Sequence, residues 1–432
     1  MSVGLADLAS VIARVRESAQ SPESRFWVAL DQVISSAANV GLVLVAARFM
    51  TPNEAGYVAI AIAVTTVSIG LQRSAVLVPS LAAQRHVGKS AVPLRWARYS
   101  VPPASAVAGA LAAVAFQISG GLQIAALAGI ACIPLVLLQD FMRYRLLMMG
   151  SARRATVVDG AWLVFTASAF ALLTMADMTT PGSAFLTWTL GAAISLFGLI
   201  GSGRSQAALP DASLRETWRL GRWSLADSAL AGVVQLLPLF VAGIVLSPAV
   251  AGSYRVLQTS LVPLNYLNTV LATTMGLAAH ELSNPSGLAA LSRKVRHALP
   301  LMALAAVIVT TLGQATLAWF ANLSLADNLV PAAAIALTGL IGAVTTPLSS
   351  AAIALGQQVF GAAIRLLSVI ASVFTVYWGT TAATGARTLD PVGLTMVVAG
   401  SISLAGWAIG YQYGRRQTHK DFQRVGYAPV ME

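Results

Sequence analysis

Long apolar segments recur along the whole chain, and they constrain its fold more than any other feature. Each is about 20 residues long, the length a helix needs to cross the roughly 30 Å hydrocarbon layer of a bilayer. Charged residues make up only 10% of the 432 residues, too few to cover a soluble protein of this size. We therefore predict an all-α polytopic membrane protein with twelve transmembrane helices, at approximately residues 26–47, 57–80, 100–119, 122–146, 156–175, 183–202, 221–246, 253–279, 298–320, 329–352, 361–383 and 391–413.

The net charge of +11 follows from where the basic residues lie. Lys and Arg cluster before the first predicted span, in every second connection and after the last span, while the alternate connections are nearly bare. Basic residues are retained on the cytoplasmic side of a membrane. The pattern predicts that both termini are cytoplasmic and agrees with an even number of spans. It gives no reason to expect a nucleic-acid partner.

An internal repeat relates the two halves of the chain. Shifting the sequence by 196 residues aligns 27–56 with 223–252 and gives seven identities in 30 positions, including Trp27 with Trp223 and Asp31 with Asp227. Both halves begin on the same side, so we predict two parallel six-helix bundles. The predicted segments are an N-terminal segment at 1–25 (an amphipathic surface helix or a disordered tail), bundles at 26–203 and 221–413, a cytoplasmic linker at 204–220 and a cytoplasmic tail at 414–432.

Polar side chains form a stripe on the first span and again on its repeat in the seventh. Asp31 and Asn39 share one face of the first span, and Asp227 and Gln235 share one face of the seventh. Such a stripe avoids lipid, so it faces another helix or a cavity. For both aspartates, packing, snorkelling to the interface and a role in coupling all remain open. Asp31 is also expected to pair with Arg73 of the second span.

Among the arginines within or at the ends of predicted spans, we select Arg48, Arg73, Arg255 and Arg365 as candidates. A guanidinium fork matches the oxygens of a phosphate or a carboxylate, so these residues are candidates for binding an anionic substrate. Snorkelling and structural ion pairing are the alternative interpretations.

Asp140, Arg143, Tyr144 and Arg145 lie where the fourth span ends, and Asp159 lies where the fifth begins. We favour a structural ion-pair cluster there, with a coupling role as the alternative.

Motifs for catalysis or cofactor binding are absent from the sequence. It contains no GxxxxGK[ST] loop, one cysteine, Cys132, and four scattered histidines without ligand spacing. We therefore predict no catalytic residues, no metal site, no cofactor and no enzymatic activity. A glycan polymerase or ligase would need a sizeable polar outer loop, whereas the predicted outer connections are about ten residues long.

Three stretches resemble one family of membrane transporters. They are LDQVISSAANVGLVLVAARFMTPNEAGYVAIA at 30–61, GLQRSAVLVPSL at 70–81 and LLQDFMRYRLLMMGSARRATVVDG at 137–160. These resemble the polysaccharide-exporter branch of the multidrug/oligosaccharidyl-lipid/polysaccharide (MOP) superfamily. The resemblance in length, span count and repeat extends over the whole chain, and the motifs match best in residues 1–160.

The resemblance implies a flippase for an undecaprenyl-diphosphate-linked oligosaccharide in a bacterial plasma membrane. It implies alternating access in a MATE-like pair of bundles around a basic cavity, and a part in making lipopolysaccharide or exopolysaccharide. Arg48, Arg73 and Arg255 match by position the cavity arginines of lipid II flippases in the same superfamily. Those flippases carry two further C-terminal spans, which disfavours lipid II as the substrate. Membrane lipids, a polysaccharide polymerase and glycosyltransferases are the expected partners.

A cation-coupled multidrug antiporter of the same superfamily is the main alternative. Antiporters of that branch tend to hold acidic residues in the bundle cavity, and Asp31 and Asp227 fit that pattern. Proton or sodium coupling is open for either function.

Overall fold

The structure is a computed structural model of the chain, and its described part is helical. It describes residues 22–77, 100–105, 123–148, 151–200, 214–265, 267–268, 271, 285–324, 327–355, 357–382 and 390–424. The helices with defined bounds are α1 (Pro22–Phe49), α2 (Pro52–Gln72), α3 (Gln123–Met148), α4 (Ala152–Met175), α5 (Pro181–Ile200), α6 (Leu214–Val241), α7 (Pro248–Thr259), α8 (Pro285–Phe320), α9 (Leu329–Ala354), α10 (Gln358–Ala382) and α11 (Asp390–Arg424). Five-residue π-helical segments continue α2 over Arg73–Leu77 and α6 over Ala242–Leu246.

Eight candidate membrane spans occur within the described residues, by length and composition. They are Phe26–Phe49, Pro52–Ala75, Ala152–Met175, Arg222–Val241, Pro285–Phe320, Leu329–Ile353, Val359–Tyr377 and Val392–Arg424. The predicted spans at 122–146 and 183–202 also coincide with helices, α3 and α5. Most of the predicted N-terminal segment, most of the span at 100–119, much of the linker at 204–220, part of the span at 253–279 and the end of the tail lie outside the described residues.

One predicted span differs in the structure. The segment predicted as a continuous helix at 253–279 begins earlier, as α7, and ends at Thr259. Pro263 provides the physical reason, because its ring clashes with the carbonyl group four residues earlier, that of Thr259, and its nitrogen donates no hydrogen bond. The chain turns at residues 260–261 and is helical again over 262–265.

The 196-residue repeat has a structural counterpart where two helices begin. Thr51 caps α2: its backbone nitrogen donates to Glu54 Oε2 at 3.0 Å, and its hydroxyl oxygen accepts from the Glu54 nitrogen at 3.4 Å. At the equivalent position, the Ser247 hydroxyl oxygen accepts from the Val250 nitrogen at 3.3 Å and caps α7. Both caps precede a proline at the first helical position, which supplies a φ angle suited to helix initiation.

The chain separates into two compact units, Met1–Ser228 and Ala229–Glu432. In the first unit, α1 packs along α4, α4 along α5, and α5 along α3. In the second, α11 packs along both α9 and α10, while α8 packs along α9. Large apolar side chains also face outward, such as Leu172 (67% exposed) and Leu312 (64%). Outward apolar surface of this kind suits helices surrounded by lipid.

Close contact between α10 and α11 depends on glycine. A Cβ atom added at Gly406 would lie 2.6, 2.8 and 2.9 Å from three side-chain carbons of Ile364. Such distances are well inside van der Waals contact, so the two helices cannot keep their spacing if this glycine acquires a side chain.

We expect Gly406→Ala to lower the free energy of unfolding by about 1–3 kcal/mol, through overpacking. Gly342→Ala in α9 is the matched control, because a Cβ there meets nothing within 4 Å and alanine favours the helix. Unfolding of the purified protein in increasing dodecyl sulfate measures both variants. Equal stability of the two variants would contradict the packing described here.

Candidate functional site

A network of charged side chains is buried in the first unit, and α3 supplies its centre. Gln139, Asp140, Arg143 and Tyr144 of α3 recur at the three- and four-residue spacing that places side chains on one helix face. This polar face occurs in an otherwise apolar helix, and it meets charged residues from α1, α4 and the end of α2.

Arg143 lies at the centre of the network. Its Nε and Nη2 donate to Asp31 Oδ2 at 3.0 and 2.5 Å. Its Nε also lies 2.8 Å from Asp159 Oδ2 in an ion pair, and its Nη1 lies 3.5 Å from Asp140 Oδ1. One guanidinium therefore contacts three carboxylates from three helices.

The members around Arg143 are excluded from solvent. The side chains of Arg143, Asp31 and Asp159 are exposed by 1%, 0% and 0%. Gln139 Nε2 donates to Asp159 Oδ1 at 2.8 Å and so gives that carboxylate a second partner. Buried charges persist only when they are paired and hydrogen-bonded in this way, because each loses its hydration.

Arg73 forms the accessible edge of the network. Its Nε and Nη2 donate to Asp140 Oδ2 and Oδ1 at 2.9 and 2.5 Å, a two-point contact between guanidinium and carboxylate. The guanidinium carbon lies 4.4 Å from the centre of the Tyr144 ring, which suits a cation–π contact. The Arg73 side chain is 32% exposed, while that of Asp140 is 6% exposed.

The charges of the network do not cancel. Asp31, Asp140 and Asp159 contribute three formal negative charges, and Arg73 and Arg143 contribute two positive charges, so the formal sum is −1. Asp31 Oδ1 is buried without a hydrogen-bond partner. The excess is therefore carried by carboxylates that are removed from water.

The sequence prediction that Asp31 pairs with Arg73 is wrong. Asp31 pairs with Arg143, and Arg73 pairs with Asp140. The prediction considered the first two spans as neighbours that pair with each other. The structure also places α3 against α2, and α3 carries both an acid and a base at a three-residue interval. Each charge of the first two spans therefore finds its partner on α3.

The predicted cluster at Asp140 and Asp159 is larger than expected. Asp140 and Asp159 do lie in an ion-pair cluster, but that cluster also contains Asp31 and Arg73. Sequence reasoning grouped Arg143 and Tyr144 with Asp140 at the end of the fourth span, but it did not select Gln139, Tyr144 or the central Arg143 as site residues. The signal that could have found them is the shared face of α3, where four polar or aromatic residues interrupt an apolar helix.

The other predicted site residues do not join this network. Asn39 Nδ2 donates to the Ser35 carbonyl oxygen of its own helix at 3.1 Å, and Arg48 is exposed at the end of α1. Asp227 and Gln235 are half-buried on α6.

In the second unit, Arg255 and Arg365 contact neutral side chains. Arg255 Nη1 donates to Gln258 Oε1 at 2.7 Å, and Arg365 Nη1 donates to Ser403 Oγ at 3.4 Å. Across the part of the chain that the structure describes, no carboxylate forms an ion pair with Arg255. Within the same part, no group of three histidine, cysteine or acidic residues is arranged to hold a metal ion.

Comparison with known proteins gives structural matches only. No protein-family model and no curated protein matches the sequence. Solved structures do match over nearly the whole chain. One is a MOP superfamily transporter from Pyrococcus furiosus Vc1 (DSM3638), with 15% identity, a TM-score of 0.62 and coverage of 94% of this chain and 97% of that chain. A MATE transporter in a bent conformation matches with 14% identity, a TM-score of 0.59 and 97% coverage of both chains.

A eukaryotic MATE transporter, AtDTX14, extends the comparison, with 12% identity, a TM-score of 0.55 and coverage of 94% of this chain and 99% of that chain. Similarity at these identities establishes a shared fold. The chain has the all-helical fold of the MATE transporters, which confirms the predicted fold class.

The central guanidinium gives a test of the network. Arg143→Met should lower the free energy of unfolding by about 3–5 kcal/mol, because it leaves Asp31 and Asp159 buried without a counter-charge. Adding Asp31→Asn and Asp159→Asn should restore most of that loss. Unfolding in dodecyl sulfate measures all three proteins.

Arg424→Gln is the control for loss of an arginine. It removes an exposed Arg–Asp pair, with side chains 81% and 60% exposed, and should change stability by less than about 1 kcal/mol. An Arg143→Met protein as stable as this control would contradict the central position of Arg143.

Proposed function

We propose that the protein is a membrane transporter that moves a lipid-linked oligosaccharide across a bacterial plasma membrane by alternating access. The substrate would carry an undecaprenyl diphosphate, and the product would serve polysaccharide assembly. The MATE fold supports transport as the general activity. The observation that supports an anionic substrate is the position of Arg73. It lies within a candidate membrane span, and its side chain is 32% exposed beside an otherwise buried network.

The Arg73 guanidinium could bind a phosphate in place of Asp140. Both of its hydrogen bonds to Asp140 use the fork that would also fit two phosphate oxygens. A phosphate arriving at the exposed side would compete with Asp140 for that fork. Tyr144 stays under the guanidinium in either state and keeps its plane oriented.

Binding an anion in this way would also favour uptake of a proton by the network. Once Arg73 binds the phosphate, Arg143 is the only arginine of the network that contacts the three carboxylates. Asp140 would then retain a single contact, at 3.5 Å, which is too long for a strong ion pair. Uptake of one proton by the network as a whole would return it to its former charge, so anion binding and proton uptake would be linked.

The remaining predicted residues would serve the same substrate. Arg48, Arg255 and Arg365 would add positive charge along its path, and Asn39 and Gln235 would hydrogen-bond the sugar. We further propose that both termini are cytoplasmic. Glycosyltransferases would act before transport, and a polysaccharide polymerase would act after it.

A cation-coupled multidrug antiporter is the second candidate. The observation that favours it is the formal charge of −1 on the buried network, which would attract a cationic drug or a coupling ion. One matched structure is described as an inward-facing multidrug resistance MATE transporter, with a TM-score of 0.54 and 16% identity. The Pyrococcus furiosus transporter is described as having a binding pocket of reverse polarity that suggests a different function. A shared fold therefore does not identify the substrate, which has to be argued from the residues of the site.

Replacing the accessible arginine tests the flippase directly. In a strain that depends on this protein, Arg73→Gln should reduce surface polysaccharide about 10- to 100-fold, the loss expected when a charge-assisted contact to phosphate is removed. The lipid-linked precursor should accumulate in the membrane. Immunoblotting of surface glycan and mass spectrometry of lipid extracts measure the two effects.

The controls separate function from folding. Arg153→Gln removes an exposed arginine of the same unit and should leave polysaccharide unchanged. Membrane levels of both variants are compared by blotting. Full polysaccharide in Arg73→Gln, together with increased sensitivity of the deletion strain to cationic drugs, would favour the antiporter instead.

The linkage between anion and proton gives a second test. In proteoliposomes, an imposed pH gradient should accelerate wild-type transport of a fluorescent undecaprenyl-diphosphate sugar. Asp140→Asn can still accept a hydrogen bond from Arg73 through its carbonyl oxygen, but it removes one formal negative charge, so the network needs no added proton when the anion binds. We expect it to transport without gradient dependence. Equal acceleration of both proteins would contradict a linkage between anion binding and proton uptake through the charge of this network.

A further inference from the structure

Two helices of the second unit continue well beyond their apolar segments on the same side. α8 has 36 residues and α11 has 35, so each is more than 50 Å long at about 1.5 Å per residue. A bilayer hydrocarbon layer of about 30 Å accounts for little more than half of that length. The polar extensions are residues 285–297 of α8 and 414–424 of α11, and we name them together the basic extension.

The two parts of the basic extension contact each other near the ends of their apolar segments. The Tyr411 hydroxyl donates to Ser292 Oγ at 3.1 Å, and both groups are buried. Leu291 and Val295 of α8 pack in one cluster with Trp407 and Tyr411 of α11. The surfaces that do not face this cluster therefore lie on one rigid pair of helix ends.

The basic extension is strongly positive. Seven lysines and arginines lie on it, against one acidic residue, Asp421, and the basic residues are Arg293, Lys294, Arg296, Arg415, Arg416, Lys420 and Arg424. Arg416, Lys420 and Arg424 recur every four residues, so they form one stripe along α11, and each is exposed. A topological signal needs positive charge near a span end, but it needs neither a continued helix nor a single stripe.

The start of the stripe lies at the depth of lipid headgroups. Tyr413 is 59% exposed, and exposed tyrosine at the end of an apolar helix marks the boundary between hydrocarbon and headgroups. Arg416 follows about 5 Å further along the helix axis, which is within a headgroup layer some 5–8 Å thick. Lys420 and Arg424 follow at successive turns, and long basic side chains bend back toward the interface.

We propose that the basic extension binds anionic phospholipids of the adjacent leaflet through the α11 stripe and the exposed lysine and arginine side chains of α8. The recognised chemistry is a phosphodiester headgroup with a net negative charge, and the source is the bilayer itself. Proximity to the headgroup layer favours a lipid over a soluble acidic partner. The site is distinct from Arg73 and the buried network of the first unit, so it does not depend on which substrate the protein transports.

Lipid binding can be measured on the intact protein by native mass spectrometry. Purified protein in detergent is titrated with phosphatidylglycerol, and phosphatidylcholine of the same chain length serves as the zwitterionic comparison. We expect the triple variant Arg416→Gln, Lys420→Gln, Arg424→Gln to bind phosphatidylglycerol roughly 100-fold more weakly, since each charge near an anionic surface contributes about a fivefold factor. Binding of phosphatidylcholine should stay unchanged.

Two further variants make the test specific. Asp421 Oδ1 lies 3.7 Å from Arg424 Nη1. Because Asp421→Asn removes a negative charge beside the stripe, it should strengthen phosphatidylglycerol binding by about fivefold. The pair Arg153→Gln and Arg154→Gln removes exposed charge from the first unit and should change the affinity less than about twofold. Thermal unfolding of each variant confirms that it is folded.

Three outcomes would overturn the proposal. The first is wild-type affinity for phosphatidylglycerol in the triple variant. The second is equal affinity of the wild type for phosphatidylglycerol and phosphatidylcholine. The third is displacement of phosphatidylglycerol by polyglutamate at a lower concentration of negative charge than the lipid presents, which would assign the surface to an acidic protein.

Discussion

The first unit depends on one guanidinium, that of Arg143, which neutralises two carboxylates that are buried away from water. Moving a single ion from water into a medium of low dielectric constant costs several kcal/mol even after the protein relaxes. Asp31 and Asp159 are therefore stable in their buried positions only because Arg143 lies within 3.0 Å of both. The three residues come from α1, α3 and α4, so the same contacts that neutralise charge also fix the relative positions of three helices.

The network combines a rigid part with an exchangeable part. Arg143 is enclosed, and its partners cannot be replaced by water or ligand without opening the packing of α3. Arg73 has the same chemistry but is about one-third exposed, and it follows α2 at the start of a π-helical segment. Such segments are uncommon and often lie at functional sites, because the local change in winding redirects side chains. The arrangement allows Arg73 to change partners while Arg143 keeps the helices in place.

The sequence predicts the fold class well and the network only in part. Apolar segment length and the distribution of lysine and arginine depend on the bilayer alone, so they can be read without knowledge of tertiary contacts. The start of α2 and of α7 also follows from local chemistry, at Thr51–Pro52 and Ser247–Pro248. Pairing of Asp31 with Arg143 depends on which helices become neighbours, and that is decided by packing over more than a hundred residues. Residues chosen from the pattern of their own span, such as Arg48 and Asn39, therefore do not join the residues that a shared face of α3 brings together.

In the proposed transport cycle, competition within the network would also set how tightly a substrate is held. A phosphate that binds Arg73 must first displace a two-point carboxylate contact, so part of its interaction energy is used to separate Arg73 from Asp140. A free arginine in the same place would bind the anion more strongly and release it more slowly. A transporter has to release its substrate on the far side in every cycle, and a deep free-energy minimum along the path would slow it. An internal carboxylate that returns to Arg73 as the phosphate leaves lowers the barrier for release. Asp140 would in this way favour turnover over affinity.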